Sequence, residues 1–143
     1  MMVRWKEQLS TGVWWQEKQH RELFARFAKL VAAMEHGRGR EEIEELYEFM
    51  ENYLGRHFQA EEAAMDRIGY SGKRAHAAEH RKLLEEITAL RAEFETGARL
   101  SLVLKVQRRI IDWFMNHIGN MDKSLGSYLR AEDLKHQQVV VNC

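Results

Sequence analysis

The chain of 143 residues contains no proline and a single cysteine, and its 22 basic residues are matched by 22 acidic ones. Each shortage excludes something. Without a pair of cysteines there is no disulfide framework, so the fold must rest on a packed core, which a chain of this length can build as one domain. A formal net charge of zero removes the basic excess that phosphate binding requires, so neither nucleic acid nor an anionic membrane is an expected partner. No stretch approaches the ~18 uninterrupted apolar residues of a spanning helix, and the charged start around Arg4, Lys6 and Glu7 is unlike a secretory leader; the cytoplasm is the expected location. Proline is excluded most strongly from helix interiors, so its absence predicts a chain that is helical along most of its length.

The apolar residues that are present bear this out. Over residues 16–35, Leu23, Phe24, Phe27, Leu30, Val31 and Met34 recur at steps of three and four, with His20 on the same stripe, the signature of a helix with one buried face. His36-Gly-Arg-Gly-Arg40 breaks the pattern as a turn. A second stripe runs through Ile43, Leu46, Tyr47, Met50, Tyr53, Leu54, His57, Glu61, Ala64 and Met65, a third through His76, His80, Leu83, Leu84, Ile87, Leu90 and Phe94, and a fourth through Val103, Val106, Ile110, Trp113, Phe114 and His117. Gly119 is expected to interrupt the fourth helix before a short last segment over about 121–131. The expected architecture is all-α: an antiparallel up-down-up-down four-helix bundle over 16–118, with an N-terminal arm at 1–15, a short C-terminal helix and a loose tail at 132–143.

Five of the seven histidines, His20, His57, His76, His80 and His117, fall on the inward stripes. A single buried imidazole needs only one hydrogen-bond partner and is usually a core residue. Five would need five separate partners in a small interior, at about 1–3 kcal/mol for each one left unsatisfied. A shared metal site satisfies them together, since neutral imidazole is a common metal ligand. Glu61 lies four residues after His57, one turn along the same face, where a bare carboxylate would be very costly. Asp122 follows His117 by five residues; it is read as a further ligand, with the N-cap of the last segment as its other reading. Glu79 lies off the stripe and is read as solvated, and His36 and His136, in a turn and in the tail, serve as controls without a role.

Five imidazoles and two carboxylates exceed the four ligands that one zinc accepts. They suit two octahedral first-row ions bridged by both carboxylates and a solvent oxygen. A metal with three histidines is then full at six, and a partner with two histidines keeps one position open, which suits iron and a diatomic ligand. Because His76 and His80 share a helix face that His117 can reach from the next antiparallel helix, these three belong to the full metal and His20 and His57 to the open one.

The residues resemble the hemerythrin family, in particular its single-domain bacterial members. The likeness runs from Trp5 to about Leu129 and rests on Trp5 and Gly12 in the arm, Gln19-His20, His57-xxx-Glu61, His76-xxx-His80 and His117-Ile-Gly-Asn-Met-Asp122-Lys. It implies a non-haem di-iron centre with an oxo or hydroxo bridge, ligated by His20, His57, Glu61, His76, His80, His117 and Asp122, that binds O2 reversibly without being an enzyme. Trp113, Phe114 and Ile118 would line the O2 pocket; by periodicity alone they are core. A monomer is expected, with a redox or O2-accepting protein as a further partner. A sensor acting through such a partner, or a di-iron enzyme reducing peroxide or nitric oxide, is the alternative. The chain departs from the family at Glu17, where an aspartate is usual, and this should alter an outer or capping contact rather than a ligand.

Two other metal patterns fit less well. His76-Ala-Ala-Glu79-His80 matches a zinc-peptidase signature with Glu79 as general base, but leaves His20, His57, Glu61 and Asp122 buried to no purpose. A ferritin-like oxidase needs two Glu-x-x-His motifs, and only Glu17-Lys-Gln-His20 is present.

Overall fold

The computed structural model describes the backbone of residues 7–97 and 99–141 and the side chains of 7–97 and 102–135. Trp5, Cys143 and the side chain of His136 lie outside the described residues. A 3-10 turn at Glu7–Leu9 precedes α1 (Trp14–Glu35), α2 (Arg40–Ile68) and α3 (Lys73–Glu95). A fourth helical run then comprises α4 (Arg99–Val106), a widened π segment (Gln107–Asp112), α5 (Trp113–His117), a second π segment (Ile118–Asp122) and α6 (Lys123–Val141).

Local chemistry explains the boundaries. Glu41 and Glu42 occupy the first turn of α2, where acids complement the helix dipole. Its far end closes on Gly69, whose φ of 61° is open to glycine at little cost, so that the Tyr70 N–H can donate back to the Met65 carbonyl at 2.9 Å. The α3 helix closes on Thr96, whose hydroxyl donates to the Glu93 carbonyl at 2.7 Å. Short links leave consecutive helices as antiparallel neighbours: α1 packs on α2 and α4, and α3 on α2 and the fourth run.

Two of the expected boundaries are corrected. Gly119 does not interrupt the fourth helix; the chain widens there into a π turn and continues. The last helix does not stop near Ala131 and give way to a loose tail, because α6 continues to Val141. Its residues past 131 lack an apolar stripe but include good helix formers such as Glu132, Leu134 and Lys135, and nothing that breaks a helix.

The core is divided. A large apolar cluster holds Leu23, Phe27, Leu30, Tyr47, Met50, Leu54, Ile87, Leu90 and Phe114 with their neighbours. A small one joins Ala64, Met65, Leu125 and Leu129. Between them, along α2 and the fourth run, lie His57, Glu61, His117 and Asp122. The polar layer is therefore sandwiched by hydrocarbon on both sides. Among the described residues, no helix is long and apolar enough to cross a membrane.

Candidate metal centre

Each of the four helical runs contributes to the layer. His20 comes from α1, His57 and Glu61 from α2, His76 and His80 from α3, His117 from the end of α5 and Asp122 from the second π segment. All seven side chains are buried, none exposing more than 3% of its surface. Their ligand-capable atoms fall into two groups, each spanning no more than 4.8 Å: Glu61, His76, His80, His117 and Asp122 in one, His20, His57, Glu61 and Asp122 in the other. The two carboxylates belong to both. His20 Nε2 lies 2.9 Å from Asp122 Oδ2 and His57 Nε2 lies 3.3 Å from Glu61 Oε1. On the other side His80 Nε2 is 3.2 Å from Glu61 Oε1, while His76 Nε2 and His117 Nε2 are 2.8 and 3.0 Å from Asp122 Oδ1.

Asp122 is not an N-cap. It is fully buried within the widened segment, where a helix bonded at i to i+5 returns residues five apart to one side.

The rings are held by their outer nitrogens. His57 Nδ1 donates to Gln19 Oε1 at 2.6 Å, His80 Nδ1 to Glu62 Oε2 at 3.3 Å and His117 Nδ1 to Glu79 Oε2 at 2.7 Å. A neutral imidazole protonated at Nδ1 presents a lone pair at Nε2. Those lone pairs then face carboxylate oxygens, and among the described residues the buried His57 Nε2, His80 Nε2 and Glu61 Oε1 have no hydrogen-bond partner. Acceptors turned toward acceptors in a dry interior call for a cation. Without such a cation, protons take its place: burial disfavours the charged forms of His117, Glu61 and Asp122, yet attraction between protonated imidazole and carboxylate outweighs it. Asp122 and Glu79 hold His117 up at about 9. His57 and His80 bring Glu61 down to about 2 against burial and the Asp122 charge. Asp122 likewise stays ionised, burial being outweighed by His117, His20 and His76. The donor set thus fits a pair of cations.

Glu79 is not a solvated bystander, as its position off the stripe implied, nor does it face inward as a peptidase base would. Although 37% exposed, its side chain reaches the buried His117 ring. Periodicity also misses Gln16, whose Nε2 donates to Glu61 Oε2 at 2.8 Å, and Phe58, whose ring stacks on His80 at 3.8 Å between centroids. Phe58, Glu62 and Glu79 are each sequence neighbours of a site residue (His57, Glu61 and His80), which is the signal that could have found them. Glu17 stays outside the cluster: it accepts from the Ser10 hydroxyl and the Gly12 N–H, and the Ser10 hydrogen bond chiefly lowers its pKa. It fastens the arm to the start of α1.

Aromatic and aliphatic groups close the layer. Phe114 lies 5.8 and 6.4 Å from the His20 and His57 rings. Trp113 stacks on His117 at 4.9 Å, and Ile118 is fully buried beside it.

A four-helix bundle with a buried histidine and carboxylate layer defines a metal-binding helical protein, and the comparisons with known proteins agree. Residues 11–129 match the hemerythrin HHE cation binding domain, and the chain belongs to the hemerythrin family. It is 32% identical over 124 residues to the bacteriohemerythrin of Methylococcus capsulatus, covering 87% of this chain and 93% of that one. It is 30% identical over 118 residues to the bacteriohemerythrin of Pseudomonas aeruginosa, covering 82% and 75%. A solved structure described as wild-type hemerythrin superimposes with a TM-score of 0.78 at 30% identity, covering 90% of this chain and 98% of that one. The buried cluster is a metal site of the kind that suits iron.

Proposed function

We propose that the layer holds two iron ions bridged by Glu61, Asp122 and a solvent oxygen, with His76, His80 and His117 on one and His20 and His57 on the other, and that the protein binds dioxygen reversibly. The observation that carries this reading is the pair of overlapping ligand groups, unequal by one histidine and joined through both carboxylates. When bound, such iron supplies the reversible electron donation that dioxygen binding requires. A nitrogen-rich set with a single open position favours a carrier or store over an enzyme.

The chain's own residues do the rest. Gln19, Glu62 and Glu79 fix the tautomer and orientation of three imidazoles, so the inward nitrogens are ready for metal without rearrangement. Gln16 fixes one oxygen of Glu61. Phe114 covers the two-histidine side, where the open position would fall, and would keep water from the bound gas there, while Trp113 covers His117 on the three-histidine side.

The test is to load the protein with iron, reduce it anaerobically, expose it to O2 and then degas it while charge-transfer absorption is followed. Bands that appear and vanish reversibly support a carrier. Immediate conversion to a stable ferric state with release of peroxide supports an oxidase instead. Zinc without iron in protein from iron-replete cells overturns the proposal.

A further inference from the structure

The two groups differ in histidine number, and they differ again one hydrogen bond further out. On the three-histidine side both outer acceptors are carboxylates: Glu79 takes the His117 Nδ1–H at 2.7 Å and Glu62 takes that of His80 at 3.3 Å. On the two-histidine side the acceptor for His57 is the neutral amide oxygen of Gln19, at 2.6 Å. The arrangement follows one topological rule. Gln19, Glu62 and Glu79 stand beside His20, Glu61 and His80 in the sequence, and each reaches across to a ring on another helix. The third ring of the three-histidine group, His76, has no hydrogen-bond partner for its buried Nδ1 among the described residues, so the contrast rests on Glu62 and Glu79 against Gln19.

Physical chemistry gives this contrast a direction. An imidazole N–H that donates to a carboxylate acquires imidazolate character and becomes a stronger donor to its metal, more so than one that donates to an amide. A negative charge beside the ring also favours the more highly charged metal. Glu79 and Glu62 are 37% and 33% exposed, so water screens them in part. The His117 and His80 rings they hold are only 1% and 2% exposed, and the hydrogen-bond contribution passes through those rings. The shorter contact makes Glu79 the stronger of the two.

We infer that Glu62 and Glu79 are positioning residues that make the three-histidine iron the more easily oxidised of the pair, while the neutral Gln19 leaves the two-histidine iron the less easily oxidised. This rests on the di-iron reading of the site. When a one-electron oxidant such as ferricyanide takes the first electron and becomes ferrocyanide, the electron leaves from the three-histidine side. No bond is broken, and the His117 Nδ1 proton stays within its hydrogen bond to Glu79.

The experiment is an anaerobic potentiometric titration of the iron-loaded full chain with redox mediators, with Mössbauer spectra of a half-oxidised sample. Two separated one-electron steps are expected. Glu79→Gln keeps an acceptor oxygen but removes the charge. It should disfavour the first oxidation about tenfold or more, at ~59 mV for each tenfold, with a smaller effect on the second. Glu79→Asp, which retains the charge, should restore much of the difference. Gln19→Glu supplies the missing carboxylate on the other side and should ease the second oxidation and narrow the gap. Steps that stay unchanged in both Glu79→Gln and Gln19→Glu, or that move equally in Glu79→Gln, overturn the inference and leave the di-iron reading standing. Failure of the folded protein to take up iron overturns both.

Discussion

His117 and Asp122 are five residues apart on one helix, yet His117 Nε2 and Asp122 Oδ1 lie 3.0 Å apart. In a regular α-helix a step of five turns a side chain ~140° away from its starting face. The π segment at Ile118–Asp122 absorbs one extra residue, so the contact and the helix both survive.

That origin predicts an asymmetry between losing and gaining a residue. Deleting the exposed Asn120 returns the segment to α geometry and keeps Leu125 and Leu129 in register with α5. Inserting an alanine after Asn120 instead rotates α6 by ~100° and pulls both leucines from their cluster, at about 1.5–3 kcal/mol each. Thermal melts should show a small loss for the deletion and a large one for the insertion. Equal losses would mean that the bulge is required by packing.

His57→Ala should lower the iron content below two per chain and abolish the oxygenated spectrum, because its Nε2 faces Glu61 within the two-histidine group. His36→Ala should change neither, since His36 is exposed and among the described residues its ring bonds to the Ala32 carbonyl of the helix it ends. Metal analysis and absorption spectra of the two variants decide the matter.

Phe114→Ala removes a fully buried ring that touches Phe24 and Phe27 as well as the histidine layer. A stability loss of about 3–5 kcal/mol is expected from denaturant unfolding. Phe114→Leu should lose less and isolates the functional effect: with the two-histidine side opened to water, autoxidation in air should quicken in proportion to the volume removed.

Tyr47 is fully buried, and its hydroxyl has no hydrogen-bond partner among the described residues. Burial raises its pKa above the ordinary 10.0, with the Glu51 and Glu93 charges adding to the effect. A raised folded-state pKa keeps its full stabilising effect below the unfolded value and loses it as pH climbs beyond. Stability should therefore fall above about pH 10, and in Tyr47→Phe this fall should be smaller. At neutral pH the same variant should be as stable as the parent or more so by about 1 kcal/mol, because it removes an unsatisfied group. Urea titrations at pH 7 and pH 10.5 read both effects.

The bundle was legible because burial imposes a period, and Leu23, Phe27, Tyr47, Leu54, Ile87 and Phe114 all keep to it. The same signal located the histidines that face inward. It was blind where helix and burial part company: α6 runs on past Ala131 although none of residues 131–135 is buried, so the periodicity vanishes while the backbone conformation does not. It also assumed a constant turn, which is why the step from His117 to Asp122 looked like a break. Glu79 was read as solvated because a periodic pattern places Cβ atoms, whereas its carboxylate travels the length of a flexible side chain to reach a ring on another helix. Gln16 lay below detection for a different reason, since one buried amide in a helix's first turn leaves no trace in a hydrophobic pattern.

With all seven inward groups at 3% exposure or less and hydrocarbon on either side of them, a chelator has no atom to approach. Small uncharged gases can slip between packed side chains during ordinary fluctuations, but a hydrated ion needs helices to part. Release of metal is then timed by local opening of the bundle, and adding more chelator cannot hasten it once that opening sets the pace: the layer discriminates by the size of the breach each visitor requires.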